Sequence, residues 1–251
     1  MEQTVVFKKN YHIDLRDVDF TKRLKWSTLF SYFQEVASLS AADLGAGIDK
    51  LEEKYGVAWI LMRIRVEIER MPKWDEQITI ETWPQEPGRL EFERDFIVRD
   101  QNGESIIRAI SAWVIMDLKE RKLKRPAHIS LTYPSVVEER AIDYKLKRLK
   151  VTDRLETAYK KVIGYSDVDF NGHLNNSKYV DFIMDCFPIE QHKAHEIKAM
   201  EVNFNQEALP GDSIILKKDT SDVVSKQIYI EGLNEKEDKV VFKAKLEIEK
   251  K

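Results

Sequence analysis

Asp17-Val18-Asp19-Phe20-Thr21-Lys22-Arg23-Leu24 returns later in the chain as Asp167-Val168-Asp169-Phe170-Asn171-Gly172-His173-Leu174, at a constant offset of 150, and Ser27 still finds its match in Ser177. An octapeptide match of this kind gains weight only if its surroundings repeat too. They do. A β-like segment precedes each copy, Val5–Ile13 in the first half and Tyr159–Tyr165 in the second, and each copy runs into a helix.

In the first half, Ser27 or Thr28 is the expected N-cap, and Leu29, Phe33 and Val36 mark one helical face. Gly45 is the expected stop, which gives a helix over Ser27–Leu44 of roughly 27 Å. In the second half, Tyr179, Ile183 and Phe187 keep helical spacing and Pro188 is expected to close the element. A shorter helical piece is expected over Leu51–Tyr55.

Alternating strands follow each helix. Ile64, Val66 and Ile68 alternate with Arg65, Glu67 and Glu69; Ile78, Ile80 and Thr82 form a second face, and Leu90, Phe92, Phe96 and Val98 a third. Asn102-Gly103 predicts a two-residue hairpin turn into Ser105–Met116. Val202–Asn205, Ile214–Lys218, Gln227–Glu231 and Lys239–Lys250 play the same parts in the second half, and Phe242, Ala244, Leu246 and Ile248 show the clearest period of two.

The shared order is strand, loop, helix, four strands. One long helix wrapped by an antiparallel sheet is the hotdog arrangement, so the sequence predicts an α+β chain of two fused hotdogs. The expected boundaries are residues 1–130, a linker over 131–152 overlapping the proline-containing, basic stretch Pro126–Lys150, and residues 153–251.

Bulk properties narrow the function. A net charge of −3 over 251 residues argues against a nucleic-acid partner. One cysteine, Cys186, precludes an internal disulfide and fits a reducing cytoplasm. Met1-Glu2-Gln3-Thr4 lacks the pattern of a secretion signal, and no apolar run approaches the ~20 residues needed to span a bilayer.

The repeat doubles as a difference map. Thr21 and Arg23 in the first half become Asn171 and His173 in the second. His173 is the one histidine in either loop, the residue type suited to proton transfer near neutral pH, and Asp169, Asn171, Asn175 and Asn176 crowd around it in sequence. Such residues also favour well-capped turns, but a purely structural loop has no reason to gain a histidine in one copy only. A second correspondence aligns Ile68-Glu69-Arg70-Met71-Pro72 with Gln206-Glu207-Ala208-Leu209-Pro210 at an offset of 138, pairing Glu69 with Glu207. At a strand end among apolar neighbours, Glu207 is either a surface gatekeeper or a general base.

Rival chemistries find little. Gly164-Tyr165-Ser166-Asp167-Val168 lacks the closing glycine of a nucleophile elbow, and Gly45-Ala46-Gly47 lacks the third glycine of a dinucleotide loop. His192 and His195 have no partner ligands at metal spacing. Cys186 sits on the apolar side of a helix and is expected in the core. No cofactor or metal is predicted.

The run Ser166-Asp167-Val168-Asp169-Phe170-Asn171-Gly172-His173-Leu174-Asn175-Asn176-Ser177-Lys178-Tyr179 closely resembles the signature of the acyl-acyl-carrier-protein (acyl-ACP) thioesterases of plants and bacteria. The likeness continues through Pro72-Lys73-Trp74, Thr82-Trp83, Arg94-Asp95, Gly103-Glu104, Arg108-Ala109, Ser111 and Trp113-Val114. It implies a double hotdog that hydrolyses fatty acyl-ACP to free fatty acid, with catalytic residues Asp169, Asn171, His173 and Glu207, an acyl-chain pocket in the first half and a carrier-protein partner. A homodimer is compatible with this reading. Plant members often carry a cysteine directly after the glutamate; Ala208 stands there, which favours attack by water. The resemblance assigns Glu207 with His173 to the water, Asn171 and backbone N–H groups to the carbonyl oxygen, and Asp169 to orienting Asn171 or His173. An acyl-coenzyme A thioesterase, a hotdog dehydratase and a non-catalytic acyl-binding regulator are the alternatives. The densest basic runs, Lys119, Arg121, Lys122, Lys124 and Arg125, then Lys145, Lys147, Arg148 and Lys150, are candidates for docking an acidic carrier.

Overall fold

A computed structural model describes residues 6–129, 137, 139–150, 154–221 and 226–251. The chain forms two compact units: residues up to Lys25 with Tyr32–Leu146, and Trp26–Ser31 with Lys147–Lys251.

In the first unit, strands β1 (Phe7–His12), β2 (Val57–Ile68), β3 (Gln77–Pro84), β4 (Phe92–Asp100) and β5 (Ser105–Asp117) lie in the order β1-β3-β4-β5-β2, and the short β6 (Leu123–Lys124) pairs with β5. In the second, β7 (Glu156–Val162), β8 (His195–Phe204), β9 (Ser213–Asp219), β10 (Gln227–Asn234) and β11 (Lys239–Lys250) repeat it as β7-β9-β10-β11-β8. These pairings within each unit are antiparallel. Each half is therefore a hotdog, and the α+β class expected from the sequence holds.

Helix α1 (Trp26–Asp43) presents Leu29, Phe33 and Val36, all essentially fully buried, along one face, with the Phe33 ring 4.8 Å from that of Phe96 on β4. It starts one residue before the expected span, and neither Ser27 nor Thr28 is its N-cap. The loop decides this: the Lys25 N–H donates to the Asp17 carbonyl (2.9 Å), which makes Lys25 the cap residue although its side chain makes no capping bond. Gly45 ends the helix as expected, its φ of 77° allowing its N–H to reach the Ala42 carbonyl at 2.9 Å. The expected helical piece appears as α2 (Ile48–Tyr55).

Helix α3 (Asn176–Met184) is half the length of α1, and Phe187 lies beyond it. Tight bonds from Cys186 to Ile183 and from Phe187 to Met184 close its end, and Pro188 opens α4 (Ile189–Ala194) rather than closing α3. The residue before a proline resists the helical conformation, so the chain breaks upstream of Pro188. Asn102-Gly103 does turn the chain, but in a longer loop than expected. The Asp100 carboxylate accepts from the Asn102 and Glu104 N–H groups, and Gly103 takes φ 82°.

The expected linker over 131–152 falls partly outside the described residues. Its described part is not a free tether: Ala141, Ile142 and Leu146 bury with Trp83, Ile97, Ile110 and Ala112. The Ala141 N–H donates to the buried Asp95 carboxylate (2.8 Å), and the Trp83 indole donates to the Glu139 carbonyl (3.0 Å).

Candidate active site

The repeated loop closes alike in both units. A single 3-10 turn (Leu15–Asp17, Tyr165–Asp167) leads into it. The Asp19 N–H donates to the Arg23 carbonyl at 2.9 Å, as Asp169 does to His173 at 2.8 Å. Lys22, at φ 61°, is forced into the left-handed region that Gly172 occupies at φ 78°. The conserved-shape role belongs to the aspartate. Asp169 Oδ1 accepts from the Asn171 and His173 N–H groups (2.9 and 3.3 Å), and Asp19 Oδ1 accepts from the Thr21 N–H and hydroxyl (2.7 and 2.6 Å). Asp169 thus orients both Asn171 and His173, through their main chain.

Glu207 arrives from the loop after β8, three residues past the strand's last residue, Phe204. Its Oε2 lies 3.6 Å from His173 Nε2, and both side chains are about 30% exposed (31% and 29%). The two backbones are tied beside that contact, because the Leu174 N–H donates to the Ala208 carbonyl at 2.9 Å. Asn171 is exposed on the loop tip. Asn175 caps α3, its Oδ1 accepting from the Ser177 N–H and hydroxyl, both at 2.9 Å. The four residues picked from the sequence therefore fall on two adjoining loops of the second unit.

The offset of 138 does not survive. Asp75 N–H and Ile13 N–H bond Ile13 and Glu76 carbonyls, and Gly211 N–H and Ile163 N–H bond Ile163 and Asp212 carbonyls, in the same reciprocal arrangement. Asp75 (φ 71°) and Gly211 (φ 88°) share the left-handed conformation. Glu69 and Arg70 donate together to Ile106, as Asn205 and Gln206 do to Val241. All of these fix the offset at 136. Glu69 then corresponds to Asn205, and the position of Glu207 is held in the first unit by Met71, which is buried. Matching the short peptides by their glutamate and proline misplaced the register by two residues.

Cys186 is buried, as expected, and its thiol donates to the Phe182 carbonyl at 3.4 Å. Burial pushes its pKa up to about 12, so it is not the thiolate that nucleophilic attack requires. His192 Nε2 contacts the Met184 carbonyl at 3.0 Å, a structural contact. Among the described residues, no three His, Cys, Asp or Glu side chains are grouped to hold a metal.

One neighbour went unremarked in the sequence as anything but a helical face residue. Tyr179, the fourth residue of α3, is buried edge-on against Phe204 and Phe242 (5.5 and 5.3 Å), and its hydroxyl lies 3.4 Å from the Gln206 carbonyl. Burial first, and the charge of Glu207 next, raise its pKa.

The acyl-ACP thioesterase N-terminal domain matches residues 4–128, and the acyl-ACP thioesterase C-terminal domain matches residues 149–250. The chain belongs to the acyl-ACP thioesterase family. It is 27% identical to oleoyl-acyl carrier protein thioesterase 2, chloroplastic, of Arabidopsis thaliana, over 90% of this chain and 67% of that protein. It is 26% identical to the palmitoyl-acyl carrier protein thioesterase, chloroplastic, of the same plant, over 82% of this chain and 53% of that one. The chain thus spans between half and two thirds of these relatives' lengths. A crystal structure of an acyl-ACP thioesterase from Bacteroides thetaiotaomicron superposes with a TM-score of 0.90 at 28% identity, covering 99% of this chain and 100% of that one. The fold also matches the 12:0-ACP thioesterase from Umbellularia californica, with a TM-score of 0.82 at 22% identity over 99% and 98% of the two chains. The double hotdog read from the repeat is thus the fold of this thioester-hydrolase family. Among the described residues no helix is long and apolar enough to cross a membrane.

Proposed function

We propose that this chain hydrolyses fatty acyl-ACP to a free fatty acid and the carrier's thiol, with one site in the second unit. The observation that carries the reading is the His173–Glu207 pair at 3.6 Å, present only where the repeat has changed both loops. That separation exceeds a direct hydrogen bond and suits a water gripped by both groups. In the mechanism, the pair takes a proton from water as its oxygen attacks the thioester carbonyl. The C–S bond then breaks, the electron pair leaves on sulfur, and the proton passes to the thiolate.

The tetrahedral oxyanion needs donors aimed at it. Along the loop, the N–H groups of Asn171, Gly172 and His173 already donate to Asp169, and those of Ser177 and Lys178 to Asn175. We therefore assign the oxyanion to the side-chain amide of Asn171, with the positive end of α3 nearby. Asp169 shapes the loop that presents it.

The partner is an acyl carrier protein bearing a fatty acyl-phosphopantetheine; nucleic acid has no part. We place the chain in the cytoplasm, although its plant relatives are named chloroplastic, and include a homodimer in the proposal, which light scattering checks. Steady-state kinetics on acyl-ACP beside acyl-coenzyme A, with a non-hydrolysed binding control, test the whole. A higher kcat/KM on acyl-ACP is expected. Preference for the coenzyme A ester makes the chain an acyl-CoA thioesterase, and binding without turnover makes it a regulator.

A further inference from the structure

Tyr179 reaches the turn that carries Glu207. Its hydroxyl lies 3.4 Å from the carbonyl oxygen of Gln206 and donates to it. Gln206 immediately precedes Glu207 in the chain. The phenol is therefore bonded to the turn that carries the carboxylate, and Glu207 is the charge that acts most on that phenol. Phe204 and Phe242 hold the ring edge-on from β8 and β11, so the hydroxyl has little freedom to swing away. The same turn is tied to the histidine loop by the Leu174 N–H bond to Ala208.

The repeat supplies an independent observation. Tyr179 and Leu29 are both the fourth residue of their helices, at the offset of 150 that governs the loop. An apolar, fully buried leucine does the packing there in the first half. The hydroxyl is thus not needed to seat the helix, and it occurs in the half that also carries His173 and Glu207.

We propose that Tyr179 is a positioning residue for Glu207: its hydroxyl locks the Gln206–Ala208 turn so that the carboxylate stays within reach of His173 and the attacking water. This rests on the reading of Glu207 as half of the water-activating pair. Small misplacements of a catalytic group are costly in rate, and one lost hydrogen bond corresponds to about tenfold.

The test is a double-mutant cycle of Tyr179→Phe and Glu207→Gln on the full chain, assayed well below the melting midpoint. Tyr179→Phe keeps the ring and deletes one oxygen. It is expected to lower kcat by about tenfold, leave KM unchanged and shift the acid limb of the kcat–pH profile. In the Glu207→Gln background it is expected to cost nothing more. Wild-type kcat and an unmoved acid limb in Tyr179→Phe overturn the proposal, and so do losses that multiply in the double variant, which mark a merely structural residue. Should Tyr179→Phe melt too low to assay, 3-fluorotyrosine at position 179 keeps the shape while altering the hydroxyl; an unmoved acid limb there also overturns it. A fully active Glu207→Gln overturns the pair itself, and is told apart because Tyr179→Phe is then read against a dispensable carboxylate.

Discussion

Met71 stands in the first unit where Glu207 stands in the second, each in the loop that follows its unit's strand β2 or β8 and each five residues before the end of a matching hydrogen-bonded exchange (Ile13 with Glu76, Ile163 with Asp212). With Thr21, Arg23, Leu29 and Met71 set against Asn171, His173, Tyr179 and Glu207, the first half keeps only the loop aspartate, Asp19, of the site's polar groups. Glu69, which the peptide match had singled out, corresponds to Asn205.

A sharp contrast between two glutamates follows. Glu207→Ala and His173→Ala are each expected to lower kcat by about 10²–10⁴-fold, with the double variant scarcely worse, because the two act as a unit. Glu69→Ala is expected to keep the wild-type kcat. Turnover measured beside circular dichroism checks this, and a Glu69→Ala variant that is folded but inactive would restore the first half to the chemistry.

Cys186→Ser is expected to retain activity. The thiol is buried, and with its pKa pushed to about 12 only about one molecule in 10⁵ carries a thiolate at neutral pH. Serine can keep the bond to the Phe182 carbonyl. Inactivation of the wild type by a thiol alkylator, absent from the serine variant, would place a nucleophile where we place a packed side chain.

For carrier docking, the structure sorts the first basic run. Lys124 is engaged by Asp117 (3.2 Å) and Glu120 (3.4 Å), whereas Lys119, Arg121, Lys122 and Arg125 are exposed. Reversing Arg121, Lys122 and Arg125 together is expected to raise KM for acyl-ACP and to leave a small thioester nearly untouched. Equal effects on both substrates reject the patch.

The octapeptide repeat made the fold legible because one loop geometry, closed by Asp19 and Asp169, constrains both copies. The strand order followed from period-two patterns such as Phe242 to Ile248. What escaped was set by tertiary bonds. Lys25 became an N-cap because Asp17 holds its N–H, and the segment around Ala141 looked like a polar tether although buried Asp95 and Trp83 dock it. The offset of 138 failed because glutamate and proline recur by chance over five residues, while the left-handed pair Asp75 and Gly211 carries the true register. Tyr179 was hidden by its apolar ring; its mismatch with Leu29 was the available signal.

His12 makes stability depend on pH. Nδ1 lies 3.0 Å from Asp14 and Nε2 3.0 Å from Asp75, with Arg16 reaching Asp14 from the far side (3.5 Å). The hydrogen bond to Asp14, then that to Asp75, raises its pKa above the ordinary value. Both ring nitrogens can donate only in the protonated form, so the stabilisation is full below the unfolded pKa of about 6.5 and is lost as pH rises through the higher folded value. Wild type is expected to melt above His12→Gln at about pH 6 and level with it at about pH 9. A gap that persists at the alkaline end would assign the difference to packing instead.

Chain-length preference is expected to lie with α1, because on the proposed reading the second unit supplies the reacting groups and the first is left to hold the tail. Trp59 on β2 is occupied otherwise: its indole donates to the Ala46 carbonyl (2.9 Å) and its ring packs edge-on to Phe92. Phe33 and Ala37 lie one turn apart on α1, both buried. Trimming Phe33 to leucine removes the ring that faces Phe96 and makes room, whereas Ala37→Leu fills space and costs about 1–3 kcal/mol of overpacking. Phe33→Ala would be a poorer probe, since a cavity of that size costs about 3–5 kcal/mol and confounds selectivity with unfolding. Phe33→Leu is expected to move the product profile toward longer acids and Ala37→Leu toward shorter ones, each with less change in kcat on its own best substrate. Gas chromatography of released acids, beside melting curves, makes the measurement. Profiles that stay at the wild-type length in both folded variants would move the pocket away from this helix.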